Sequence, residues 1–166
     1  MADGTEPIDP SETIYRRVPK RGTAYKPNRN PALGANAFNP RPTDADGVSV
    51  TRASYVSGPD EAAALGAEGM EFYVIAFLAR DLQAVGMEIV PDPNNECLGH
   101  ALIRNIHAAN SELPQIQAIK NQARMGKYHA FGPFPGKMKI TPPGGDPQTS
   151  PAAIREPGAA AEPPAE

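Results

Sequence analysis

The chain has little of what marks a membrane protein, a secreted protein or a disulfide-bonded protein. Its single cysteine, Cys97, excludes an intrachain disulfide and any zinc site built from several cysteines. No apolar run approaches the ~20 residues that cross a bilayer. The acidic N-terminus lacks the charged and then apolar pattern of a signal peptide. These absences predict a soluble, cytoplasmic protein that does not contact membranes.

Aromatic residues are also scarce, at 6% with no tryptophan, whereas the 166 residues include 20 prolines and 15 glycines. This composition indicates that part of the chain stays outside the folded core. Residues 1–13 carry four acids and no base, which predicts a flexible acidic lead. Residues 142–166 contain one large aliphatic side chain, Ile154, so they predict a disordered Pro/Ala-rich tail. A single domain is therefore expected over 14–141.

Within the domain, the strongest signal is the apolar run at 71–79, which predicts a buried strand, with a buried helix as the alternative. Proline at 114 and glycine at 126 bracket a predicted helix. Five prolines between 19 and 42 predict a long irregular arm. Together these signals indicate an α+β fold with a small mixed sheet and a few short helices. The other elements expected are strands at 14–18, 48–51, 87–90 and 100–104 and a short helix at 59–65.

The net charge of −3 conceals blocks of opposite sign. Residues 14–29 carry six bases and no acid, whereas residues 43–97 carry ten acids and two bases. The basic block predicts a surface for a polyanion or an acidic protein face, with a protein as the first choice of partner and a nucleic acid as the second. Pairing of the two blocks within the fold is the alternative. The predicted binding residues are Arg16, Arg17, Lys20 and Arg21.

The loop at 91–100 is a candidate site because two prolines stiffen it and because it carries both Cys97 and His100. A nucleophilic Cys needs a base such as His to take its proton. A free Cys is just as compatible with simple burial. The three His have no HxH or HExxH spacing, so no metal site is predicted, and no cofactor is predicted either.

A second candidate site combines Arg17, Ser49 and His100, each on or beside a predicted strand. If the sheet brings these strands together, the three side chains can grip a phosphate or a carboxylate. The layout resembles small ADP-ribosyltransferase-like toxins, in which an Arg on the first strand and a later Ser flank a nucleotide. The catalytic Glu of that family has no counterpart that this sequence locates. Pairing of Arg17 with acids of the 43–97 block is the alternative.

The sequence is compatible with two functions, an interaction module and a small enzyme. Segregated charge, a Pro-rich arm and a predicted tail favour a non-enzymatic accessory or interaction module. The alternative is a small enzyme, transferase-like or hydrolytic, with its site around Arg17, Ser49, Cys97 and His100. Geometry separates the two, because an enzyme needs Arg17, Ser49 and His100 around one concave pocket.

Overall fold

A computed structural model describes residues 2–20, 38–107 and 114–138. Six strands form one sheet in the spatial order β4–β5–β2–β1–β3–β6. The predicted α+β class is confirmed, and the expected mixed sheet is antiparallel in all of its described pairings. The strands are β1 (Thr13–Pro19), β2 (Val48–Arg52), β3 (Glu71–Leu78), β4 (Ile89–Pro91), β5 (His100–Ile103) and β6 (His129–Pro135).

The first face of the sheet carries the main core. The apolar run at 71–79 forms β3, as predicted, and its Phe77 lies edge-on to Phe38 and stacked on Tyr128. Helices α2 (Ala79–Ala84) and α3 (Pro114–Arg124) cover this face through Leu82, Ile116 and Ile119. The run does not alternate because both faces of β3 are covered.

On the second face, a helix packs over β3 and β6 and also contacts β1. Helix α1 (Pro59–Ala64) follows a short 3-10 helix (Ala53–Tyr55) and packs Ala62 and Ala63 against Phe72 and Val74.

The acidic lead contacts the domain, whereas the sequence predicts a flexible segment. The Ala79 amide donates to the Glu12 carbonyl at 2.8 Å, and the Arg80 amide donates to the Pro10 carbonyl at 2.8 Å. Arg52, a buried side chain of β2, is ion-paired with Glu12. Arg52 and Glu12 lie 40 residues apart, so no local pattern in the sequence points to this contact.

Most of the predicted arm at 19–42, and all of the predicted tail at 142–166, lie outside the described residues. Within 2–20, 38–107 and 114–138, no helix has the length and apolar character needed to cross a bilayer.

Candidate functional site

The pairing between β1 and β2 is short, and the site lies where it stops. β1 pairs with β3 along all seven of its residues but with β2 only at Ile14–Arg52 and Tyr15–Thr51. In place of a further ladder bond, the Arg16 guanidinium donates to the Ser49 carbonyl at 2.6 Å. The two strands therefore part beside Ser49, and an arginine side chain satisfies the backbone group left at that point.

Arg16 is buried at the edge of this opening. It is 4% exposed, and its Nη2 lies 3.6 Å from Asp44 Oδ2. The Asp44 carboxylate is held in turn by the Arg41 amide, which donates to it at 2.7 Å. Burial lowers the pKa of Arg16 to about 10, with a smaller contribution from neighbouring Arg41. Arg16 therefore remains charged at neutral pH and is balanced by Asp44.

A cavity of about 330 Å³ occupies the opening between the strands. Arg16, Arg17 and Arg41 line it, and Asp44 is the one acidic lining residue within the part of the chain that the structure describes. Burial lowers the pKa of Arg17, and Arg41 lowers it further, whereas Cys97 and Glu96 act in the opposite direction. The pocket therefore favours an anion, because a negative ligand offsets the repulsion among the guanidinium groups. Its other lining residues are Pro19, Ser49, Leu65, Gly66, Ala67, Met70 and Phe72.

Ser49 links this pocket to a chain of polar contacts. Its hydroxyl lies 2.5 Å from His100 Nε2. The other ring nitrogen, Nδ1, lies 2.7 Å from the Asp92 carbonyl oxygen and 3.0 Å from Asp92 Oδ2. Both Asp92 atoms are acceptors, so Nδ1 carries the hydrogen, and in the neutral ring Nε2 accepts the proton of the Ser49 hydroxyl. His100 is thus oriented as a base toward Ser49.

The sheet register explains how these residues meet. Ser49 lies opposite Leu102 and Thr51 lies opposite His100, so Ser49 and His100 are diagonal neighbours on one face of β2 and β5. Asp92 follows β4 directly, and its amide donates to the His100 carbonyl at 2.9 Å. Asp92 belongs to the loop at 91–100 that the sequence singles out, but its pairing with His100 was not predicted. The available signal was its position between two prolines at the end of a predicted strand that neighbours the strand of His100.

The Cys97 side chain is not part of the polar contacts that join Ser49, His100 and Asp92. It is partly exposed, and its amide donates to the Asn94 side-chain oxygen at 2.9 Å within the loop. Both nitrogens of His100 are already occupied by Ser49 and Asp92. The structure therefore places Arg17 and Ser49 at one pocket and bonds Ser49 to His100, which is not among the pocket's lining residues, and it does not pair Cys97 with His100. Across the described ranges, no three His, Cys, Asp or Glu side chains converge as metal ligands.

Cys97 offers a direct test of this arrangement. We expect a thiol reagent to label Cys97 in the folded protein, because its side chain is partly exposed in a loop. His100→Ala should label no more slowly than the wild type, because His100 contacts Ser49 and Asp92 and not the thiol. Stopped-flow or mass-spectrometric labelling measures both rates. Labelling that requires unfolding, or a rate about tenfold slower in His100→Ala, would contradict this placement.

The described members of the predicted basic binding set lie in different settings. Arg16 pairs with Asp44, and Lys20 pairs with Glu71 at 2.8 Å, so both contact acids of the 43–97 block. Arg17 faces the pocket and also donates to the Ala62 carbonyl at 3.4 Å. Arg21 lies outside the described residues.

Comparison with protein-family models, with curated proteins and with solved structures finds no match to this chain. The site is therefore described by its geometry alone. It is an arginine-lined opening between two strands, in which a serine is hydrogen-bonded to a His–Asp pair.

Proposed function

We propose that this protein is a small transferase-like enzyme that holds a nucleotide substrate at Arg17 and Ser49 and uses His100 as its proton acceptor. One observation carries the proposal: Ser49 lines the same pocket as Arg17, and its hydroxyl is hydrogen-bonded to the imidazole of His100. This proposal differs from the non-enzymatic interaction module that the composition of the chain favours. Two of the three residues named for the enzyme, Arg17 and Ser49, line one pocket, and the third, His100, is hydrogen-bonded to Ser49.

The lining of the pocket suits a nucleotide in two respects. Arg17 and Arg41 supply guanidinium groups, which recognise phosphate oxygens in pairs. Met70 and Phe72 supply an apolar wall for a base or a sugar. An Arg on the first strand and a later Ser beside one pocket is also the layout in which the sequence resembles ADP-ribosyltransferase-like toxins. An ADP-ribosyl donor such as NAD⁺ is therefore the substrate to test.

The chemistry assigned to the site is a displacement at the ribose. The bond between C1′ and the nicotinamide nitrogen breaks, and its electron pair returns to the positively charged ring. An acceptor hydroxyl or water forms the new bond to C1′. Its proton passes to the Ser49 oxygen, whose own proton passes to His100 Nε2, so the charges and atoms balance. Arg17 binds the diphosphate and keeps the donor in place.

A serine hydrolase is less well supported by the same residues. Hydrolases of that kind stabilise an oxyanion with backbone amides aimed at the reacting carbon. Ser49 lies inside β2, opposite Leu102 of β5, where the strand amides lie along the plane of the sheet. A fluorophosphonate reagent that labelled Ser49 would reverse this order of preference.

Substitution of Arg17 tests substrate binding. We expect Arg17→Gln to weaken NAD⁺ binding by about tenfold or more, because a charge-assisted contact to phosphate is lost. Lys20→Gln is the matched control, since Lys20 is an exposed cation of the same segment that pairs with Glu71 and is not among the pocket's lining residues. Isothermal titration calorimetry measures both affinities.

Turnover tests the role of His100. His100→Ala should slow nicotinamide release by about 10²-fold or more, with KM little changed, because the proton acceptor acts mainly in the transition state. If NAD⁺ is neither bound nor consumed by the wild type at millimolar concentration, the proposed function is wrong.

An accessory module that binds a protein partner is the second candidate. The described surface favours it through exposed apolar side chains, among them Leu98 at 51% and Phe131 at 38%. An acidic protein face or a nucleic acid would use the basic block, but Arg16 and Lys20 are already paired with acids of the chain. Steeply salt-dependent capture of a partner, lost when Arg16, Arg17, Lys20 and Arg21 are all replaced by Gln without a change in melting temperature, would favour this candidate.

A further inference from the structure

The N-terminal segment, residues 2–12, is fastened to β2 by a buried arginine. Arg52 is 5% exposed, and its Nε and Nη2 donate to the Glu12 carboxylate at 3.1 to 3.2 Å. Its Nη1 donates to the Glu6 carbonyl at 2.9 Å and to the Gly4 carbonyl at 3.4 Å. One guanidinium therefore holds the segment at three points.

The same segment packs against the loop that joins β4 to β5. Gly4 is buried with φ +82°, and a Cβ there would lie 2.8 Å from Pro93 Cβ and still closer to the Leu98 carbonyl oxygen. Glu6 accepts a hydrogen bond from the Tyr55 hydroxyl at 2.5 Å. The close approach at Gly4 means that no larger residue fits without moving the loop.

Tyr55 and Arg52 also hold the far end of that loop. The Arg52 amide donates to the Gly99 carbonyl at 2.8 Å. Gly99 lies against Tyr55, since a Cβ on Gly99 would be 2.5 Å from Tyr55 Cβ. The loop is therefore enclosed by the N-terminal segment on one side and by the 52–55 region on the other.

Both ends of this loop are site residues. Asp92 begins it and His100 follows it, and the contact between Asp92 Oδ2 and His100 Nδ1 at 3.0 Å requires the loop to keep its shape. The Asp92 side chain is 47% exposed, so its own burial does little to hold it.

We propose that the N-terminal segment is a positioning element for His100: through Gly4 it holds the 92–99 loop in the shape that places Asp92 against the imidazole. The expected effect on turnover rests on the proposed function, whereas the expected effect on the loop and on the His100 tautomer does not. Gly4, Glu6 and Arg52 act through the loop and do not touch the substrate.

Gly4→Ala tests the proposal, with Gly126→Ala as its matched control. Both glycines have a positive φ, +82° and +77°, so both variants carry the same kind of backbone strain. Only at Gly4 would the added Cβ meet the loop, because nothing lies within 4 Å of the Cβ position at Gly126. Tyr55→Phe is a gentler second variant, which removes the hydroxyl bond to Glu6 and keeps the ring against Gly99.

Two readouts are independent of activity. We expect Gly4→Ala to raise the labelling rate of Cys97 by about fivefold or more, because the loop opens more often. The ¹⁵N signals of His100 should show the loss of the single tautomer with hydrogen on Nδ1. Gly126→Ala should match the wild type in both, and Tyr55→Phe should change both in the direction of Gly4→Ala. In an active enzyme, kcat should fall about tenfold with KM nearly unchanged.

The outcomes separate the two proposals. If a folded Gly4→Ala protein keeps wild-type Cys97 labelling and the wild-type His100 tautomer, the positioning role is overturned, whatever the activity. If Gly4→Ala does not fold, unchanged readouts in Tyr55→Phe overturn it instead. If both readouts change while the wild type neither binds nor consumes NAD⁺, the positioning role is supported and only the proposed function fails.

Discussion

Phe77→Ala is expected to lower the free energy of unfolding by about 3–5 kcal/mol, as truncation of a fully buried Phe does. Phe77 is 2% exposed on β3, and its ring contacts both Phe38 and Tyr128. Alanine removes these contacts and leaves a cavity that the packed sheet and helices cannot fill completely. Urea denaturation followed by circular dichroism measures the change.

Phe131→Ala is the matched control for this truncation, because Phe131 lies on the neighbouring strand β6 but is 38% exposed. It should cost less than about 1 kcal/mol, as exposed substitutions usually do. Similar losses for the two variants would mean that the first face of the sheet is not the main core.

Arg52→Met is expected to destabilise the protein by about 3–5 kcal/mol, because one partner of a buried ion pair is removed. Glu12 would keep its carboxylate, only 9% exposed, without the guanidinium that balances it. The carbonyls of Gly4 and Glu6 would lose their donor as well. Thermal and chemical unfolding of the full chain measure the loss.

Lys20→Met is the control for Arg52, since it removes an ion pair whose partners are 38% and 53% exposed. Solvent screens such a pair, so we expect a much smaller loss of stability than for Arg52→Met. If Arg52→Met costs no more than this control, the N-terminal segment does not depend on Arg52. The flexible lead predicted from the sequence would then describe it better.

The sequence alone predicted those parts of the fold that local signals specify. The apolar run at 71–79 became β3 because continuous burial needs nothing beyond apolar side chains in a row. The helix at 114–126 was predicted from proline at one end and glycine at the other, and α3 spans Pro114–Arg124. Arg17, Ser49 and His100 were chosen as polar residues on or beside strands; Arg17 and Ser49 line one pocket, and His100 reaches it only through its hydrogen bond to Ser49.

Which polar residues face one another was decided by the tertiary structure. Ser49 and His100 are 51 residues apart, and Arg52 and Glu12 are 40 residues apart, so neither contact leaves a local pattern in the chain. The register of β2 on β5 sets the first contact, and the β1–β2 pairing ends at Tyr15–Thr51, next to the residues Arg16 and Arg17 that line the pocket. The physical reason is that composition and periodicity determine whether a segment forms a strand, a helix or an irregular loop. Strand pairing over long sequence separations depends on the packing of the whole core, which assigned Asp92 to His100 and fastened the acidic lead to Arg52.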